Sequence, residues 1–260
     1  DLVTSGPLAR AVADAAALLD VMAVEFLGDP FHAPPSAGFR AAAGTPAEKM
    51  RIAFTTEPII TDVAIDPHSV RAVEQTASWL EGLGHTIEPI SRPFGPDLVA
   101  QFEAVWFTLA LLTPVMPEDE DRLEPLTRHL RARGRGESGL DLAMAVTLLR
   151  IQTRATLAQW AQYDAVLMPT VNGPAPLVSE IVDREDPGRD FENQKRWAAF
   201  TAAFNMTGQP AMNLPLHWTP DGLPIGVMLV GAMFAEEKLI RLAAQLEQAH
   251  SWHDRKPVAW

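Results

Sequence analysis

The sequence contains no cysteine. That excludes disulfides, thiolate metal ligands and a cysteine nucleophile within its 260 residues, and it fits a cytoplasmic protein. No run of about 18 apolar residues occurs, so no transmembrane helix is expected. The start lacks a basic region leading into an apolar run, so no signal peptide is visible, and a processed precursor stays open. Positive charge is scarce. Lys and Arg number 21 against 33 Asp and Glu, which leaves a net charge of −12 and a pI near 5.0. That balance argues against nucleic acid or an anionic membrane as a partner. The seven histidines show no H-E-x-x-H spacing, and no Gly-rich phosphate loop ending in Lys-Ser or Lys-Thr occurs.

What is present is apolar content, 47% of the chain, enough to bury a sizeable core as one large or two small domains. Leu8, Val12, Ala15, Ala16, Leu19 and Met22 recur at helical spacing and predict an opening amphipathic helix, with Pro7 before or in its first turn. Residues 28–49, rich in Pro, Gly and Ala, read as a loop. Residues 51–55 read as a strand. Asp66 and Pro67 read as an N-cap and first helical residue, Val70, Val73, Ala77 and Leu80 as a helix face, Gly84 as a C-terminal cap and residues 85–90 as a returning strand. This unit predicts a parallel βαβ crossover. Helices are expected over 98–112, 140–163 and 193–206. Residues 117–136, acidic then basic, read as a solvated helix with complementary ends. Residues 165–168 predict a short buried strand and 171–192 a loop. Residues 211–216 and 223–231, joined by the Thr219–Gly222 turn, predict a hairpin. Leu239, Leu242, Ala243, Leu246 and Ala249 give a final helix. The fold class is α/β, with helices flanking a mixed sheet.

Chemistry is hard to find in this pattern. No serine stands in G-x-S-x-G or S-x-x-K. The four lysines, Lys49, Lys195, Lys238 and Lys256, read as solvated surface charges. Asp14 lies four residues from Arg10, as local helix support. Glu236 and Glu237 fall in the first turn of the last helix, where its dipole favours them. Asp66 and His68 have a spacing that could ligate a metal, but the cap already accounts for Asp66. No metal site is expected.

Several ordered motifs resemble the amidase signature family. Gly6-Pro7-Leu8-Ala9-Arg10, followed by residues 12–16, is similar to the segment that closes that family's signature region. Residues 163–170, ending in Pro169-Thr170, resemble its Pro-Thr strand. Asn205-Met206-Thr207-Gly208-Gln209-Pro210-Ala211 is similar to its N-x-T-G-x-P-A segment, and residues 221–231 resemble the strand after it. Glu237 with residues 239–247 resembles its closing helix. The likeness runs from about residue 5 to 252 and is weak from 91 to 160. Ala11, Val3 and Met228 depart from the pattern, Met228 standing where Gln is frequent. Residues 214–222 resemble bacterial members that act on aryl, linear or cyclic amides, nylon-oligomer hydrolases among them.

The resemblance implies that residues 1–260 are the C-terminal part of one amidase domain of the α/β/α type. In that family a nucleophilic Ser, a bridging Ser in a cis peptide and a Lys base precede the G-P-L-A-R segment. No position here matches them, so no catalytic residue is assigned within the chain. The expected function is the C-terminal part of a serine amidohydrolase, inactive alone and cofactor-free. The substrate is a small-molecule amide, with no nucleic-acid or membrane partner and with a homodimer as a possible assembly. The alternatives are a non-catalytic scaffold with this fold, or an amidotransferase subunit acting on charged tRNA. Trp106, Thr170 and Gln209 are the expected substrate-binding residues. Trp106 offers a flat face, Thr170 ends a strand where α/β sheets gather ligands, and Gln209 sits in a turn between helix and strand.

Overall fold

The structure, a computed structural model, describes residues 2–29, 31–92, 94 and 98–255. Lys256 lies outside the described residues. Five strands form one mixed sheet: β1 (Arg51–Phe54), β2 (Thr86–Pro89), β3 (Ala165–Pro169), β4 (Ala211–Trp218) and β5 (Pro224–Gly231). Their order is β2-β1-β3-β5-β4. β1 runs parallel to both β2 and β3, while β5 runs antiparallel to β3 and β4. The expected βαβ unit and terminal hairpin are both present. β3 is buried at every residue, as a central strand covered on both faces must be.

Side-chain alternation splits the core in two. Ile52, Ala165, Leu167, Val227 and Leu229 face one layer of helices. That layer contains α1 (Val12–Met22), α2 (Phe39–Ala43), α3 (Pro67–Gly82) and α10 (Glu236–Ala249). Ala53, Val166, Met168, Met228 and Val230 face the other, built largely from α4 (Leu98–Leu109), α6 (Gly139–Trp160) and α9 (Ala202–Thr207). The remaining helices are α5 (Pro125–Gly136), α7 (Val178–Ile181) and α8 (Pro187–Trp197).

Local chemistry explains the helix starts. Asp66 Oδ1 accepts the His68 backbone N–H at 2.7 Å, with Pro67 in the first turn, so Asp66 acts as the expected cap. Ser138 and Asp141 bond reciprocally to open α6. Gly84 has φ +95°, a conformation that favours glycine just beyond α3.

Four expectations need correction. α1 begins at Val12, so Leu8 lies outside it and is exposed. Residues 28–49 contain α2, whose first two backbone N–H groups donate to the Asp20 carboxylate. Residues 171–192 contain α7 and the start of α8, which Asp186 caps through the Arg189 N–H. Residues 117–136 are not one solvated helix. A 3-10 turn over Pro117–Arg122 precedes α5, and Arg131 is only 5% exposed. Its guanidinium donates to Glu120 and to the carbonyls of Ala110 and Thr113 at the end of α4.

Candidate functional site

The segment between α9 and β4 reverses direction at Gly208, which has φ +71°. This turn carries Gln209 under the end of β5. Gln209 is 7% exposed, and its Nε2 donates to Gly231 O at 2.8 Å. Rotating the carboxamide would set two carbonyl oxygens against each other, so that bond fixes the orientation. Oε1 is therefore turned away, buried and without a hydrogen-bond partner. A buried acceptor of this kind calls for an explanation.

Beside it lies a partly open cleft of about 220 Å³. Its lining includes Leu157 and Trp160 from the end of α6, Tyr163, Val166 of β3, Val230 of β5, and Met233. Small residues, Ala161, Ala165, Gly231 and Ala232, complete the wall with Gln209. Among the described residues no charged side chain lines it. The Tyr163 hydroxyl donates to Glu88 at 3.3 Å, and its ring carries the Arg51 guanidinium at 5.0 Å. Trp160 is buried, stacked near Phe204 with Phe94 at its edge, so its indole is a fixed wall.

The other two expected residues stand elsewhere. Thr170 follows the last residue of β3, four residues beyond Val166, which puts it about 13 Å along the strand direction from the cleft. Its hydroxyl donates to Asn213 Oδ1 of β4 at 2.5 Å. Gly226 on β5 makes room for that Asn213 side chain. A Cβ at Gly226 would lie 2.1 Å from Asn213 Oδ1. Trp106 on α4 is half-buried against the second core cluster and stacks on Phe102 at 5.6 Å. It does not line the cleft. The structure thus places Gln209 in a cleft and does not bring the three residues together. Trp160 and Asn213 were missed because each needs a partner far away in sequence.

Lys49 and Lys238 are exposed as expected, but Lys195 is not. Lys195 is bound by Glu103 at 2.5 Å and Glu192 at 2.6 Å, and its side chain is 13% exposed. Burial opposes its charge, but the two carboxylates win and hold its pKa above the usual lysine value. Such an ammonium is a poor base. Lys238 pairs with Asp164 at 2.8 Å. Among the described residues no serine hydroxyl bonds a lysine amine or an imidazole. Ser36 and Ser138 bond carboxylates, and Ser69 bonds the Val171 carbonyl. Among the described residues no group of three His, Asp or Glu gathers in a way that could hold a metal ion. No helix among them is long and apolar enough to cross a membrane.

A profile of the family described as Amidase matches residues 1–240. The chain belongs to the amidase family. It is 31% identical to the 6-aminohexanoate-cyclic-dimer hydrolase of Pseudomonas sp. (strain NK87), over 97% of this chain and 55% of that protein. It is 31% identical to the putative amidase AmiC of Mycobacterium tuberculosis (strain H37Rv), over 96% of this chain and 53% of that one. The solved structure of a 6-aminohexanoate cyclic dimer hydrolase superposes with a TM-score of 0.82 at 29% identity, covering 96% of this chain and 55% of the other. A bacterial aryl acylamidase superposes at 0.75 with 18% identity, covering 97% and 55%, which shows the shared fold alone. The amidase chain described here spans about half the length of the curated relatives it matches.

Proposed function

We propose that this chain forms the C-terminal half of a serine amidohydrolase fold that hydrolyses a carboxamide C–N bond through an acyl-enzyme. The observation that carries the reading is the family match over residues 1–240, with amide hydrolases among the relatives. The Ser-Ser-Lys set expected from the family belongs to the half of the fold that this chain does not span. The neutral Lys of that set accepts a proton relayed from the nucleophilic Ser, and backbone N–H groups hold the oxyanion. This half contributes sheet strands, flanking helices and part of the substrate wall. The absence of any serine–lysine contact among the described residues supports that division, as does the cationic state of Lys195.

Gln209, Trp106 and Thr170 are the proposed wall positions. Gln209 lines a cleft, Trp106 has a partly exposed ring, and Thr170 stands beyond the carboxyl end of β3. The test is Trp106→Ala, Thr170→Val and Gln209→Ala in a protein that spans the whole fold, assayed on amides with bulky and small acyl groups. A wall residue shifts the ratio of kcat/KM between them, an apolar contact being worth about 1–3 kcal/mol of discrimination. Equal losses on every substrate, in step with lowered Tm, would remove the residue from the wall.

A further inference from the structure

We propose that the outer face of α6 is a homodimer interface, on which α6 of a second copy of this chain packs antiparallel about a two-fold axis. Ala145, Leu149, Thr156 and Trp160 turn inward and are buried. On the far side Leu140, Met144, Leu148 and Ile151 are 69%, 54%, 37% and 58% exposed. They recur every three or four residues, so they form one stripe along the helix. A helix that is apolar on both sides belongs in an interior, and the fold of this chain covers one side only.

The pattern on that face matches itself in reverse. The stripe of large side chains runs from Leu140 to Ile151, and a shallow recess of about 240 Å³ between Ala143, Met144, Thr147 and Leu148 lies at its centre. A two-fold axis there sets Leu140 level with Ile151 of the second copy and Met144 level with its Thr147, so each Met144 meets the recess of the other helix. Methionine suits such a place, because its unbranched chain fills irregular gaps. The charges follow the same symmetry. The axis sets Glu137 level with the second copy's Arg154, and Asp141 level with its Arg150. Both arginines are exposed. Parallel pairing would instead bring each arginine beside its own counterpart, so complementarity selects a second copy in the antiparallel sense. α6 has 22 residues and is about 33 Å long. One helix face falls below the ~800 Å² per partner of a standard interface, so the dimer is weak, with a Kd in the micromolar range. No catalytic group takes part, so the interface stands or falls separately from the hydrolase function.

The experiment is analytical ultracentrifugation of the 260-residue chain at concentrations from about 1 to 100 µM. The mass should move from 28.4 kDa toward twice that value as concentration rises. Met144→Glu places a charge at the centre of the stripe, at an exposed position, and should raise Kd about tenfold or more with the circular dichroism spectrum unchanged. Arg154→Glu should raise Kd about threefold, and adding Glu137→Arg should restore it. The chain has no cysteine, so introduced thiols report the register. A mixture of Leu140→Cys and Ile151→Cys should oxidise to a disulfide-linked dimer. Neither variant alone should do so, because antiparallel packing holds like positions about 16 Å apart. Five results would overturn the proposal: a chain still monomeric at the highest concentration, which would leave the stripe to the unspanned half of the fold; association that survives Met144→Glu; a Kd unmoved by Arg154→Glu; self-linking of either thiol variant alone; or no disulfide in the mixture.

Discussion

His217 on β4 donates from Nε2 to Thr76 Oγ1 at 2.9 Å, because that hydroxyl already gives its proton to Ala72 O. Its ring stacks on Trp79, which also stacks with His250. Burial disfavours the imidazolium, and the nearby His250 adds repulsion, so the His217 pKa falls from 6.5 to about 4. The folded value lies below the unfolded one, so between them the unfolded chain binds more protons. Stability from this site is complete above about pH 6.5 and is lost as the pH falls toward 4. The expected result is a urea midpoint that drops across this window more steeply in the unaltered chain than in His217→Gln. Parallel curves would show that His217 is not the titrating group. At this scale the sequence was informative where the partner is local. Asp66 and the glycine at 84 declare their roles within a few residues. The partner of Gln209 is Gly231 and that of Thr170 is Asn213, 22 and 43 residues away, so neither contact leaves a local pattern.

Elements show the same division between local and distant causes. β1, α3, β2, β5 and α10 fall close to where periodicity and capping residues place them, because each buries one regular face. α5 was misread because its charges look solvent-directed in sequence. Arg131 instead turns inward and closes the end of α4, where the carbonyls of Ala110 and Thr113 need donors. Gly134 permits that approach, since a Cβ there would lie 2.3 Å from Phe107 O. Arg131→Met should therefore cost about 2–3 kcal/mol in urea unfolding, since two carbonyls lose charged donors. Arg131→Lys should recover only part of it, because an ammonium lacks the planar fork that reaches the carboxylate and both carbonyls. A loss below about 0.5 kcal/mol would place Arg131 among ordinary surface residues.

At the scale of the whole molecule, the apolar residues that remain exposed are informative. Leu8, Leu27 and Phe31 are 96%, 109% and 75% exposed, and Leu140, Met144, Leu148 and Ile151 form an exposed stripe along α6. β4 stands at one edge of the sheet and β2 at the other. Exposed apolar surface of this extent and open strand edges favour association. The chain should bind a hydrophobic dye or aggregate on its own. A cooperative, monomeric, dye-silent melt would show that these surfaces need no cover. The sequence revealed the family through ordered motifs at its two ends, and the fold agrees with it. The cleft was not legible, because its walls come from α6, β3, β5 and the turn before β4, which meet only after folding. If, as proposed, the nucleophile and base lie in the half of the fold that this chain does not span, the chain alone hydrolyses no amide. The most direct measurement is amide hydrolysis by the 260-residue chain alone, with aryl anilides, simple carboxamides and the 6-aminohexanoate cyclic dimer as substrates. No turnover above buffer is expected. Turnover that disappears when one of the chain's own serines is changed to alanine would contradict it.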